Sequence, residues 1–144
     1  MVSVERTFEV DKPLEVVVDY LKDFSRSEDW DPGTRWCRRD GAAGPVEVGV
    51  TWHNVSEFRG RETELKYRLE ILEPDHLTFI GRNKTATSTD DLTFSPAGTG
   101  TKITYNAQIE FHGLARLASP FLKSEFERLG DETEKQMTTV LNDL

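Results

Sequence analysis

The strongest constraint on the fold is an amphipathic pattern in residues 119–144. Apolar residues recur there at steps of three and four, which predicts a helix with one buried face. The members of this stripe are Leu122, Phe126, Leu129, Thr133, Met137, Val140 and Leu144. Ser119 and Pro120 supply helix-start signals, a side-chain N-cap followed by a proline that needs no N–H partner. A helix over this stretch would be ~39 Å long, so it needs an equally long surface to lie on.

Two residues on or beside the stripe, Gly130 and Thr133, are small or polar. In a helix interior, glycine costs roughly 1 kcal/mol relative to alanine. Its presence predicts a close backbone approach, a bend, or space left between the helix and its partner surface. The alternative is a tolerated glycine that merely lets the helix curve.

Alternating apolar and polar residues dominate the rest of the chain, and this period of two predicts strands. The predicted strands cover 2–10, 34–39, 47–58, 62–72, 76–83, 85–94 and 101–111. Between the first two, Asp11 and Pro13 begin a short helix over 12–22. Residues 24–30 form a second short helix or a turn, which Asp31-Pro32-Gly33 ends.

Strands joined by short turns must be antiparallel neighbours, and a strongly twisted sheet of seven strands tends to curl. The long helix comes last and is the natural cover for the concave face. We therefore predict an α+β fold in a single domain over 1–144. A curved seven-stranded antiparallel sheet would wrap around the long C-terminal helix, with two short helices after strand 1.

Composition narrows the functional class. The net charge of −8 gives no general attraction to nucleic acid. The single cysteine, Cys37, excludes an intramolecular disulfide and fits a reducing cytoplasm, where a buried inert thiol is a commoner role than a nucleophile. The N-terminus enters a strand pattern with no apolar signal segment, and no apolar run approaches the ~20 residues that cross a bilayer. We expect a soluble, cytoplasmic protein of undetermined oligomeric state.

Several short motifs, in this order and spacing, resemble one known superfamily. They are Asp11-Lys12-Pro13, Trp30-Asp31-Pro32-Gly33, Val48-Gly49-Val50, Leu72-Glu73-Pro74 and the run from Gly98 to Tyr105. The chain resembles the START-like, birch-pollen-allergen-like (Bet v 1-like, SRPBCC) superfamily, and within it the bacterial polyketide cyclase/dehydrase group. The resemblance covers nearly the whole chain and implies the helix-grip fold. It also implies a cavity between sheet and long helix that holds a hydrophobic or aromatic small molecule, because members include cyclases, dehydratases and lipid carriers.

The residues predicted to face that cavity combine large amphipathic rings with a few polar groups, the composition of a ligand pocket. The predicted ligand-binding residues are Trp52, Asn54, Thr63, Leu65, Tyr67, Phe79, Ser88, Asp90, Tyr105, Phe126, Gly130, Thr133 and Met137. The alternative is a filled core, in which the tyrosine hydroxyls and Asn54 bond backbone groups and no ligand enters.

Asp90 is the most informative of these residues if it points inward. A carboxyl in an apolar cavity has a raised pKa, the condition for a general acid or base. Asp90, Tyr67 and Tyr105 are therefore the catalytic candidates. The alternative is a bulge that turns Asp90 to solvent.

The three histidines are scattered without metal-ligand spacing, so we expect no metal site, and no motif indicates a cofactor. His53 is expected on the outer face of the sheet, His76 beside a turn and His112 at the end of a strand.

Three functions remain open. The first is a module that binds a hydrophobic metabolite, with residues 112–115 and 41–45 as possible gates. The second is a cyclase- or dehydratase-type enzyme that uses the same cavity. The third is a protein-interaction module without a ligand, which would need an exposed apolar patch rather than a cavity.

Overall fold

The computed structural model describes residues 1–117 and 120–144. In that part of the chain the strands are β1 (Val2–Val10), β2 (Thr34–Arg39), β3 (Thr51–Phe58), β4 (Arg61–Glu73), β5 (His76–Arg82), β6 (Ala86–Ala97) and β7 (Gly100–Phe111). The α-helices are α1 (Leu14–Leu21), α2 (Ser27–Trp30) and α3 (Lys123–Asn142). A 3-10 turn (Phe24–Arg26) precedes α2, and a 3-10 segment (Gly113–Phe121) precedes α3.

The strands form one antiparallel sheet in the order β1-β7-β6-β5-β4-β3-β2. Five hairpin connections make β2 to β7 sequential neighbours. β1 joins β7 instead, with Val2 opposite Ile109 and Phe8 opposite Ile103. The predicted α+β arrangement of seven antiparallel strands and a final helix is confirmed, while the single domain over 1–144 stays a prediction.

The final helix begins later than predicted. α3 starts at Lys123, its N-cap position is Leu122, and no side chain caps it. The predicted N-cap Ser119 lies outside the described residues. Pro120 lies inside the preceding 3-10 segment.

The buried face of α3 consists of Gly130, Thr133, Met137 and Leu141. Leu141 takes the place expected for Val140, and Leu144 is 42% exposed beyond the helix end. At Gly130 a Cβ atom would lie 2.6 Å from Cγ2 of Val4 on β1. The helix backbone at Gly130 therefore packs directly against side chains of β1, which leaves no room for a Cβ atom there.

One strand boundary and one strand interior also differ from the prediction. β3 begins at Thr51 rather than at 47, because Gly49 has a φ of +98° that ends the extended chain, and Val48 is 54% exposed. In β4 the register shifts between Leu69 and Ile71. Such a bulge bends a strand and increases its twist.

Aromatic rings fill the end of the sheet that α1 and the 3-10 turn cover. Phe24 contributes the central ring, with its centroid 4.4 Å from that of Tyr67 and 4.5 Å from that of Phe79. Trp52 and Trp30 pack against the same ring. Within the described residues, no helix combines the length and the apolar character that crossing a bilayer requires.

Candidate functional site

A cavity of about 220 Å³ lies between the sheet and the N-terminal half of α3. Strands β3, β4, β6 and β7 contribute its floor, and α3 covers it. Its lining residues are Val4, Asp31, Gly33, Ser56, Glu57, Phe58, Thr63, Leu65, Tyr67, Thr85, Ala86, Ser88, Asp90, Tyr105, Ala107, Gln108, Ile109, Phe111, Phe126, Leu129, Gly130 and Thr133. Most of this surface is apolar, so the cavity suits a hydrophobic molecule.

The polar end of the cavity is built around Asp90, which is 7% exposed. On β6, Ser88, Asp90 and Leu92 alternate with outward-facing residues and share the buried face. The hydroxyl of Tyr105 donates a hydrogen bond to Oδ1 of Asp90 at 2.7 Å. The hydroxyl of Tyr67 donates to Oγ of Ser88 at 3.2 Å. Asp90 therefore points inward, as strand alternation predicts, and not to solvent.

Burial gives Asp90 a pKa suited to proton transfer. Removal from water raises the pKa of Asp90 to about 7, and the nearby charge of Asp31 acts in the same direction. The hydrogen bond from Tyr105 opposes this rise because it favours the carboxylate, and the nearby hydroxyl of Tyr67 acts in the same direction. Burial also raises the pKa of both tyrosines well above the usual value. Their phenols therefore remain protonated while Asp90 exchanges its proton near neutral pH.

Asp31 is a second carboxyl in the cavity, and sequence reasoning missed it. Its Oδ1 accepts the backbone N–H of Gly33 at 3.0 Å, and its Oδ2 accepts the hydroxyl of Thr34 at 2.9 Å. Burial raises its pKa, although these two hydrogen bonds work against the rise. The Asp31-Pro32-Gly33 sequence was interpreted only as a turn. The sequence signal for a buried carboxyl at this position is that Asp31 directly follows Trp30, a large residue expected in the core.

The structure divides the predicted site residues into two groups. The first group lines the cavity and comprises Thr63, Leu65, Tyr67, Ser88, Asp90, Tyr105, Phe126, Gly130 and Thr133. The second group is buried but does not line it, and comprises Trp52, Asn54, Phe79 and Met137. The residues of the second group lie outside this cavity because Phe24 and its neighbours fill that half of the sheet with side chains. Ligand binding by either group stays a prediction.

The buried polar side chains of Trp52 and Asn54, which lie outside the cavity, have protein partners. Nε1 of Trp52 donates to Asp23 at 3.2 Å. Asn54 donates to Thr34 at 3.4 Å and accepts the hydroxyl of Ser56 at 2.7 Å. Asn54 thus bonds side chains here, and not the backbone groups that the filled-core alternative named.

The open end of the cavity lies where its lining residues are half exposed. There the ring of Phe58 stacks on that of Phe126 at 5.4 Å, and Arg59 pairs with Glu125 at 2.7 Å. Phe111 leads from this end into the 3-10 segment, which exposes Leu114, Leu117 and Phe121. Residues 112–115 therefore adjoin the open end. Residues 41–45 line no part of the cavity.

The remaining reactive side chains lie elsewhere. Cys37 is buried, and burial raises the pKa of its thiol to about 11, so the unreactive thiol dominates at neutral pH. His53 is exposed on the outer face, as predicted, and its Nε2 lies 3.3 Å from Glu64. His76 contacts Asp91 at 2.6 Å beside the β4–β5 turn, and His112 contacts Thr87 at the end of β7.

Comparison with known proteins places this architecture in a family. A family model described as "Polyketide cyclase / dehydrase and lipid transport" matches residues 1–141. The chain belongs to this family. The resemblance to the START-like superfamily that the sequence motifs indicated is therefore confirmed. No curated protein matches the chain significantly.

Several solved structures share the fold of this member of the polyketide cyclase family, although their sequences are only distantly similar to its sequence. A Thermus thermophilus protein is 15% identical, with a TM-score of 0.75 over 98% of this chain and 94% of that one. A START superfamily protein from Mycobacterium smegmatis is 16% identical, with a TM-score of 0.72 over 98% and 94%. The Zhui aromatase/cyclase from Streptomyces is 11% identical, with a TM-score of 0.74 over 98% and 91%. At these identities the likeness establishes the helix-grip fold.

Proposed function

We propose that this protein binds a small hydrophobic or aromatic molecule in the cavity beneath α3. The observation that carries the proposal is the cavity of about 220 Å³, with its apolar walls and its polar end at Asp90 and Tyr105. An apolar pocket with a few convergent polar groups is typical of ligand sites. The family description, which names cyclases, dehydrases and lipid transport, supports the same reading.

The size of the cavity favours a compact ligand. Water occupies about 30 Å³ per molecule in the liquid, so the space equals roughly seven waters. A ligand of one or two fused rings fits that space, while a longer chain would have to extend past Phe58 and Phe126. The third possibility, an interaction module without a ligand, does not require such a cavity.

Native mass spectrometry of the protein purified from its own cytoplasm tests this proposal. We expect a population whose mass exceeds that of the chain by one small molecule. Ala107→Phe is the matched variant, since Ala107 lines the cavity and a phenyl ring would occupy the space. Asn106→Phe on the outer face of the same strand is the control and should keep the ligand. A clean apo mass for the wild type, together with failure to bind added naphthalenes, would contradict the proposal.

A second candidate function, proton-transfer catalysis of the cyclase or dehydratase type, is favoured by the pKa of about 7 at Asp90. Because Tyr105 donates to this carboxyl, its ionised form is ready to act as a base. Asp90 would take a proton from a bound reactive chain, while the cavity holds that chain in a productive orientation.

Turnover of the co-purified compound or of its precursors tests this second function. Asp90→Asn should abolish turnover, and Tyr105→Phe should lower it. In the wild type, kcat should rise with pH through about 7, because the base must be deprotonated. Unchanged rates in Asp90→Asn would remove Asp90 from the mechanism.

We also infer a cytoplasmic protein whose partner is a small molecule and not nucleic acid. The net charge of −8 supports this part of the proposal. Gel-shift titration with mixed-sequence DNA and RNA should show no binding at physiological salt.

A further inference from the structure

The charges that line the cavity all have one sign. Asp31, Glu57 and Asp90 line it, whereas no lysine, arginine or histidine does so among the residues that the structure describes. Arg6 lies behind Gly130, but its guanidinium is matched by Glu127 and Asp131, each at 2.9 Å. Glu57 is paired with Arg35. A ligand at the polar end therefore meets the carboxyl groups of Asp90 and Asp31 and no cationic side chain that lines the described cavity.

The hydrogen bonds at the polar end determine which groups remain free to donate to a ligand or to accept from it. The hydroxyl of Tyr105 donates its hydrogen bond to Asp90, and the hydroxyl of Tyr67 donates its hydrogen bond to Ser88. A carboxylate offers about four lone-pair sites, so Asp90 retains acceptor capacity after the bond from Tyr105. The hydroxyls of Ser88 and Thr133 can donate or accept, so they do not discriminate between ligand groups that donate and ligand groups that accept. When Asp90 is ionised, the hydrogen-bond acceptors at this end outnumber the donors, so a ligand group that donates is favoured there.

Electrostatics in a buried site strengthens this preference. Unlike charges attract and like charges repel more strongly away from water than in it. An ammonium group near Asp90 and Asp31 would compensate carboxylates that burial otherwise disfavours. A ligand carboxylate or phosphate would instead add a further negative charge beside them and find no cationic partner.

We propose that the ligand of this cavity is an apolar, ring-sized molecule whose polar end donates hydrogen bonds to Asp90, a protonated amine being the preferred group, and that carboxylates and phosphates are rejected. This inference rests on the proposed ligand-binding function and adds the chemical class of the ligand. It excludes free fatty acids and aromatic acids as ligands of the polar end.

Three naphthalene probes of nearly equal size test the inference by isothermal titration calorimetry: naphthylmethylamine, naphthalenemethanol and naphthoic acid. At about pH 8, where Asp90 is ionised, we expect the amine to bind tightest and the alcohol to follow. The acid should bind at least about tenfold more weakly than the amine. Since this ranking uses the wild type alone, it does not depend on the folding of any variant.

The result separates this inference from the function on which it rests. Naphthoic acid binding as tightly as the amine would overturn the charge preference and leave small-molecule binding intact. Failure of all three probes to bind would overturn small-molecule binding of this size, and the inference with it.

A variant and its control identify the responsible carboxyl. Asp90→Asn should lower the affinity for the amine at least about tenfold and leave the affinity for the alcohol within a few-fold. Asp91→Asn is the matched control, because Asp91 is the next residue on β6 and faces outward, bonded to His76 and Thr78. Equal losses in both variants would contradict the assignment to Asp90.

The pH dependence supplies an independent readout. The titratable groups that face Asp90 are Asp31, Tyr67 and Tyr105, while α3 contributes Gly130 and Thr133, which do not titrate. Affinity for the amine should rise with pH up to about 7 and then level off, since the ammonium binds the ionised carboxyl. In Asp90→Asn this rise should disappear. A flat profile in the wild type would contradict the inference.

Discussion

Asp90 illustrates what alternation along a strand can and cannot predict. A period of two predicts that Ser88, Asp90 and Leu92 share a face, and the structure buries that face. The partner that helps to raise the pKa of Asp90 is Asp31, far away in the sequence, and no local pattern brings the two together. Inward orientation was therefore predictable, whereas the pair of carboxyls required the folded chain.

The raised pKa of Asp90 has a stability cost with a definite pH dependence. In the folded state its pKa is about 7, whereas an unfolded chain has the ordinary value of 3.8. Folding thus favours the protonated form, so stability declines as pH rises from about 4 through about 7. Asp90→Asn keeps an oxygen that can accept from Tyr105 and has no charge to bury. We expect this variant to be more stable than the wild type at about pH 8, by up to a few kcal/mol.

Urea unfolding at about pH 4.5 and about pH 8 measures this difference. The extra stability of Asp90→Asn over the wild type should become smaller at the lower pH, where the carboxyl of wild-type Asp90 is protonated and uncharged. Asp91→Asn should show no such gain, because Asp91 lies on the solvated face. A gain of equal size at both pH values would show that ionisation of Asp90 is not its cause.

At the scale of single elements, α3 was the most predictable part of the chain. Its stripe of apolar residues correctly predicts a long helix against the sheet, and Gly130 correctly marks the close approach to β1. The start at Lys123 was not predicted, because no side chain caps this helix and a 3-10 segment runs directly into it. The division of the buried residues between cavity and core was not predictable either, since it depends on where Phe24 packs.

Gly130→Ala tests the contact between α3 and β1. Helix propensity alone favours alanine by roughly 1 kcal/mol. The new Cβ would lie 2.6 Å from Cγ2 of Val4, a stiff β-branched side chain, so the helix or the strand must shift. Such overpacking costs about 1–3 kcal/mol. We therefore expect net destabilisation in urea unfolding.

Two controls separate the clash from the helix effect. Lys135→Ala on the exposed face of α3 should leave stability nearly unchanged. The double variant Val4→Ala/Gly130→Ala should recover part of the loss, because removing the valine methyls relieves the contact. Stabilisation by Gly130→Ala alone would show that the two elements are not held this closely.

At the scale of the whole molecule, short hairpins made the order of β2 to β7 predictable, while the pairing of β1 with β7 was not. These strands are about a hundred residues apart in the sequence, and the register Val4 opposite Ala107 exists only in the folded sheet. The cavity depends on the pairing of β1 with β7, because Val4 and Ala107 both line it. A ligand site assembled from both ends of the chain forms only when the whole sheet has folded.

Amide hydrogen exchange with saturating naphthalenemethanol tests this location of the site. Protection should increase in the N-terminal half of α3 and in the hairpin between β3 and β4, which surround the cavity. Exchange in α1 should not change, since α1 covers the filled half of the sheet. In Ala107→Phe the added protection should be absent. Equal protection throughout the chain would indicate general stabilisation rather than occupancy of this cavity.

The order of the strands leaves β2 at one border of the sheet, and an unpaired border can recruit another chain into aggregates. The carboxylate of Glu28 on α2 accepts the outward backbone N–H of Cys37 at 2.8 Å. Glu28→Ala would uncover this N–H, so we expect light scattering to increase faster on prolonged incubation than for Asp29→Ala. That result would show that a short acidic helix protects this border of the sheet from pairing with a second copy of the chain.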